Sequence, residues 1–169
     1  MSFPNSLKYS ATVALMATAG AFPTSALASP GSGVTPTTYV TSDLTDTDEF
    51  NHNRIKFQTK DAATVRVQKL EFAPGGHTGF HHHPGIVIVA IQSGSLDLVD
   101  GSCSTETHGT GTVFVEGEDH VHEAVSPGGA TVYVTYIVPR DYDPANEKFR
   151  VEEAVPFCAT SLNNLSKKP

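Results

Sequence analysis

Basic residues are scarce in this chain of 169 residues, where 11 Lys and Arg stand against 18 Asp and Glu for a formal charge of −7. No basic cluster relieves that balance, and an acidic surface repels a phosphate backbone, so DNA and RNA are not expected as partners. Long apolar runs are missing too. Ala11 to Phe22 is apolar but too short for a membrane span, and no stop-transfer segment follows it. No long segment keeps an apolar period of 3.6 residues, which argues against a helical architecture. Cysteine is limited to Cys103 and Cys158.

What is present begins with processing signals. Lys8, the small apolar stretch and the A-x-A triplet Ala26-Leu27-Ala28 read as a signal peptide over residues 1–28, cleaved after Ala28. The expected location is therefore secreted or periplasmic. No twin arginine and no cysteine adjoin the cleavage site, so folding after export is expected and a lipoprotein is not. The leader holds one lysine and no acid, so its loss takes the charge from −7 to −8. In an oxidising compartment Cys103 and Cys158 are expected to pair. The closed loop would contribute roughly 4 kcal/mol in the chain-entropy model.

Residues 29–50, rich in Ser, Thr, Pro and Gly, read as a flexible linker. A single β domain is expected over 51–156, with a loose C-terminal tail over 157–169. Strand signals run through Arg54 to Gln58, Thr64 to Phe72, Ile86 to Ile91, Leu96 to Val99, Thr112 to Val115, Val121 to Val125 and Thr131 to Val138. Asp100-Gly101 marks a hairpin. Short strands at this spacing predict an all-β sandwich or barrel.

Seven of the eight histidines fall between positions 77 and 122. One segment reads Gly75-Gly76-His77-Thr78-Gly79-Phe80-His81-His82-His83-Pro84-Gly85, with Gly94 beyond an apolar run. The other reads Gly111, five residues, Gly117, and then His122. Histidines on alternate strand residues share a face, so His81 and His83, with His122 from a second strand, are candidates to converge on one metal ion. His82 should point away, and His52 and His108 read as surface residues. His120 and His77 are candidate additional ligands.

These segments resemble the two motifs of the cupin superfamily, G-x5-H-x-H-x3,4-E-x6-G and G-x5-P-x-G-x2-H-x3-N, over roughly residues 64–138. The resemblance implies a single cupin-type double-stranded β-helix, a jelly-roll barrel, with a divalent metal at His81, His83 and His122. The chain departs from the pattern where the first motif has glutamate: the position falls on Val87 or Ile88. Gly117, Asp119 and Ser126 stand for the proline, glycine and asparagine of the second motif. Glu116, Glu118, Asp119 and Glu123 lie nearby, and strand phase alone decides which of them points inward.

Imidazole donors suit iron, manganese, copper, nickel or zinc. Three-histidine cupins include oxygen-dependent dioxygenases, so the resemblance implies a metal-dependent oxidoreductase on a small anionic or enolisable molecule. The alternative is a non-catalytic barrel that binds a small ligand or metal. Sugar isomerase or epimerase chemistry needs an acid–base pair that is not legible here. With His81 and His83 inward, Val87, Val89 and Ile91 should share their face, leaving Ile86, Ile88 and Ala90 outward. Such an exposed apolar stripe needs a cover, either a second copy in a homodimer or the chain's own Arg54–Thr59.

Overall fold

Alternation of side chains about two long bent strands organises the molecule. In the computed structural model, residues 30–45, 49–141 and 149–156 are described. The expected leader, the tail and Cys158 lie outside them. Eleven strands and no helix are present among the described residues, and no helix there is long and apolar enough to cross a membrane. In chain order they are β1 (Ser32–Leu44), β2 (Glu49–His52), β3 (Ile55–Gln58), β4 (Ala63–His77), β5 (His81–His82), β6 (Ile86–Asp100), β7 (Thr105–Gly109), β8 (Val113–Glu116), β9 (His122–Ser126), β10 (Ala130–Pro139) and β11 (Val151–Glu152).

Strand β6 changes partners along its length. Its first part, up to Gly94, pairs with β10 and β8, whereas Ser95 to Asp100 pair with β7 and β9. The handover falls at Gly94, whose φ of 77° suits glycine and where an added Cβ would run into the carbonyl of Gly129. Strand β4 does the same: Ala63 to Phe72 lie between β1 and β10, and past Gly75 (φ 76°) the strand pairs with β9. One nine-stranded antiparallel sheet, folded over where these long strands bend, forms the expected double-stranded β-helix roll.

The inner face is read off the register. Arg66 on β4, Tyr136 on β10, Val87 on β6 and Glu116 on β8 are successive cross-strand partners in one row. Gln68, Val134, Val89 and Phe114 form the next row. Val87, Val89, Ile91, Val132, Val134 and Leu96 are buried together, so the phase expected for β6 holds. Its outer residues Ile86 and Ile88 are exposed, beside Val113 and Val115 of β8. Their exposure shows that the Arg54–Thr59 segment does not cover them; β3, within it, pairs with β2 in a separate hairpin.

One expectation needs correction. Residues 29–50 are not a linker throughout: Ser32 to Leu44 form β1 along β4. Threonine and valine are β-branched, which suits an exposed edge strand although the composition is polar. Thr38 accepts a hydrogen bond from Gln68 Nε2 (2.7 Å), Asp43 accepts one from Thr64 Oγ1 (2.7 Å), and Val34 packs on the core. Near the end of the expected domain, Phe149 lies in the core and β11 pairs with β5. The Asp100-Gly101 hairpin is present. Asp100 Oδ1 accepts from Ser102 N (2.8 Å) and Ser104 N (2.9 Å), and Cys103 takes a positive φ of 64°.

The handover at Gly94 predicts a position-specific cost. Gly94→Ala should lose about 1–3 kcal/mol of stability through backbone strain and the clash with Gly129. Gly109→Ala, with open space around the new methyl, should stay within about 0.5 kcal/mol of the parent. Chemical denaturation of the two variants checks the difference, and equal losses would contradict it.

Candidate metal centre

Backbone pairing sets the cluster before any ion is considered. His81 on β5 lies directly across from His122 on β9, so the two side chains rise on one face. His83 is two residues further and returns to that face. The three are buried, with ring centroids 4.4 Å (His81–His122), 4.8 Å (His81–His83) and 5.3 Å (His83–His122) apart. One ring nitrogen from each lies within 4.8 Å of the others.

Which nitrogens face inward follows from hydrogen bonding. His81 Nδ1 is 2.8 Å from Gly79 O, His83 Nδ1 is 2.6 Å from Phe149 O, and His122 Nδ1 is 2.7 Å from His120 O. A carbonyl oxygen only accepts, so each Nδ1 must carry the proton and donate it. In a neutral ring Nε2 is then left with a lone pair, the form in which imidazole binds metal. Burial, with the positive charge of Arg150 next in weight, pushes the His81 pKa down to about 2. That ring is therefore neutral at any ordinary pH.

Glu116 completes the cluster. It is 6% exposed, with Oε2 3.3 Å from His83 Nε2 and Oε1 3.3 Å from His122 Nε2. Burial opposes its ionisation, but hydrogen bonding to His122 and His83 outweighs burial and holds the carboxyl below the usual range. For His122 burial favours the neutral ring, yet Glu116 tips the balance and raises its pKa. With every Nδ1 committed to a carbonyl, a carboxylate oxygen facing Nε2 needs a cation between them. That cation is a proton or a metal ion.

The remaining candidates lie outside. His77 Nδ1 is 2.9 Å from Glu123 Oε1, and His120 is exposed, its ring stacked 5.8 Å from that of His122. His82 points away as expected, toward Glu153 (2.8 Å). His108 is not a plain surface residue: it is half-buried and stacks 4.0 Å from the Phe114 ring. Glu118 and Asp119 are exposed. Asp119 has φ 57°, so it keeps the left-handed turn that the pattern assigns to glycine, and its N–H donates to His83 O (3.0 Å). Ser126, in the asparagine position, is fully buried and donates to Ser95 O (2.7 Å).

A cavity of about 410 Å³ adjoins the cluster, walled by apolar residues such as Leu70, Phe72, Val132 and Val134. Its polar lining includes Arg66, Gln68, Tyr136 and Arg150. The Arg66 guanidinium lies 3.5 Å over the Phe149 ring, and its Nε donates to Thr41 Oγ1 (3.1 Å). Arg150 donates to Thr78 O and to Glu152. The Tyr136 ring is 5.5 Å from that of His83, and burial, then the charge of Glu116, pushes its pKa up to about 12. Its hydroxyl thus stays protonated. None of Arg66, Gln68, Tyr136 and Arg150 was singled out by sequence: alternation does not say which face of β4 or β10 is inner, and Arg150 lies outside the strands.

No protein-family model matches the chain, and no curated protein matches it. Similar solved structures include an RmlC-like cupin from Shewanella frigidimarina, at 15% identity over 74% of this chain and 95% of that one, with a TM-score of 0.45. A cupin domain from Bordetella pertussis is similar at 22% identity over 66% and 97%, with a TM-score of 0.44. Salicylate 1,2-dioxygenase from Pseudaminobacter salicylatoxidans is similar at 14% identity over 42% of this chain and 20% of that one, with a TM-score of 0.40.

The hydrogen bonds to carbonyl oxygens predict the proton positions. In metal-free protein at neutral pH, nitrogen NMR of the histidine rings should find Nδ1 protonated on His81, His83 and His122. A proton on Nε2 alone in any of these rings would contradict the arrangement.

Proposed function

We propose that this chain is a cupin-type metalloprotein that holds one divalent transition-metal ion through Nε2 of His81, His83 and His122 and uses it to oxidise a small anionic or enolisable molecule. The observation that carries the metal site is the common orientation of the three rings. Each donates Nδ1–H to the backbone, so three Nε2 atoms converge beside a buried carboxylate. The donor set fits iron, manganese, copper, nickel or zinc, which imidazole accommodates. A bound ion would supply a Lewis acid and, for iron, manganese or copper, a redox centre.

The protein's own residues have separable tasks. The carbonyls of Gly79, His120 and Phe149 orient the rings. The apolar wall excludes water and strengthens the electrostatics of the site. Arg66 and Arg150 add positive charge to the lining, which favours a substrate bearing a carboxylate or enolate. Tyr136 keeps its proton and can donate it in a hydrogen bond. A non-catalytic binding barrel would share all of these features except turnover. Export through the 1–28 leader and a Cys103–Cys158 bond belong to the same proposal.

Elemental analysis of the exported protein, beside the His81→Ala/His83→Ala variant, tests this reading. About one equivalent of a transition metal is expected in the parent and none in the variant. The intact mass of the same sample should show cleavage after Ala28 and the loss of two hydrogens for a disulfide. Oxygen consumption with diketone and phenolic substrates then separates the enzyme from the binding barrel. A parent that holds no metal and takes up none at micromolar concentration would end the metalloprotein reading.

A further inference from the structure

We propose that Glu116 is the carboxylate ligand of this site, reaching it from β8 in place of the glutamate that the first motif lacks; the inference rests on the metal-site reading above. The motif position on β6 holds Val87, which is 0% exposed, faces inward and has no donor atom. Its cross-strand partner on β8 is Glu116. Directly opposed residues of an antiparallel pair have Cβ atoms about 4.5–5.5 Å apart on one face. A carboxylate moved from one strand to its neighbour therefore stays within side-chain reach of the same ion.

The phase of β8 supports the transfer. Val113 and Val115 are exposed, while Glu116 is buried on the inner face, where Phe114 also lines the cavity. A glutamate in such a position needs a buried partner of opposite charge. Glu116 presents its two oxygens to His83 Nε2 and His122 Nε2, each at 3.3 Å. These are the nitrogens that the backbone hydrogen bonds leave to bind either a proton or a metal ion. A metal ion placed among them would take the place of any proton shared with Glu116, and the donor set would carry one negative charge. The other acids of the segment are placed elsewhere: Glu118 and Asp119 are exposed, and Glu123 is engaged with His77.

Cobalt(II) titration of the metal-free protein, followed by calorimetry and by the visible d–d spectrum, tests the assignment. The parent should bind one cobalt ion. Glu116→Gln should bind more than about 100-fold more weakly, above the roughly 10–100-fold that loss of an outer hydrogen-bond partner brings, and its spectrum should change. Val87→Glu/Glu116→Val, which returns the carboxylate to β6, should regain most of the affinity. Should a variant fail to fold, the carboxyl carbon of Glu116 in the parent still reports the contact, since its NMR shift should move on zinc addition. Full-strength cobalt binding by Glu116→Gln with an unaltered spectrum, or an unmoved carboxyl resonance, overturns the role of Glu116 alone. A parent that takes up no cobalt overturns the metal site beneath it.

Discussion

Three hydrogen bonds from histidine Nδ1 to backbone carbonyls govern the rest of this structure. They commit Nδ1 of His81, His83 and His122 to carrying a proton, and thereby leave Nε2 of each ring as the nitrogen open to a metal ion. Were Nε2 the committed nitrogen, the same rings at the same distances would have no lone pair to offer a metal ion. The carbonyls come from three places: Gly79 and His120, each two residues before the ring it holds, and Phe149 from the returning C-terminal segment. That third bond ties the site to a part of the chain far away in sequence.

The barrel exists in the form needed to supply those carbonyls and rings. Bends at Gly75 and Gly94 pass β4 and β6 from one set of partner strands to another, and the pairing of β9 with both β4 and β5 sets His81 opposite His122. Burial then does opposite things to neighbouring groups. It keeps His81 neutral and the Tyr136 hydroxyl protonated, whereas Glu116 and His122 stabilise each other's charge against it. One inner row, Arg66–Tyr136–Val87–Glu116, gathers three of the functional groups at the same level of the sheet. A guanidinium, a hydroxyl and a carboxylate so placed give the cavity polarity at one end and an apolar wall at the other.

Much of this was legible in the residue pattern, and what was not has a physical cause. Glycine and histidine spacing pointed to the roll and to His81, His83 and His122, because turns needing positive φ and side chains sharing a face leave fixed intervals. Glu116 was among four acids that spacing could not separate. Val113-Phe114-Val115 is apolar on both faces, so nothing in it declares the phase of β8. The inward face of β4 was hidden for a related reason, since it carries Arg66 and Gln68 while Val65 and Val67 alternate with them. Strand β1 was masked by its serines and threonines, whose edge pairing needs little apolar burial. Phe149 stands 66 positions beyond His83, and no local signal in the sequence links its carbonyl to that ring.

Anomalous diffraction at the absorption edge of a metal loaded into crystals of the protein tests the central claim most directly. A single peak enclosed by Nε2 of His81, His83 and His122, with the three Nδ1 atoms still bonded to Gly79, His120 and Phe149, is the predicted result. A peak at the His77–Glu123 rim, or ligation through Nδ1 with those carbonyl bonds broken, would contradict it.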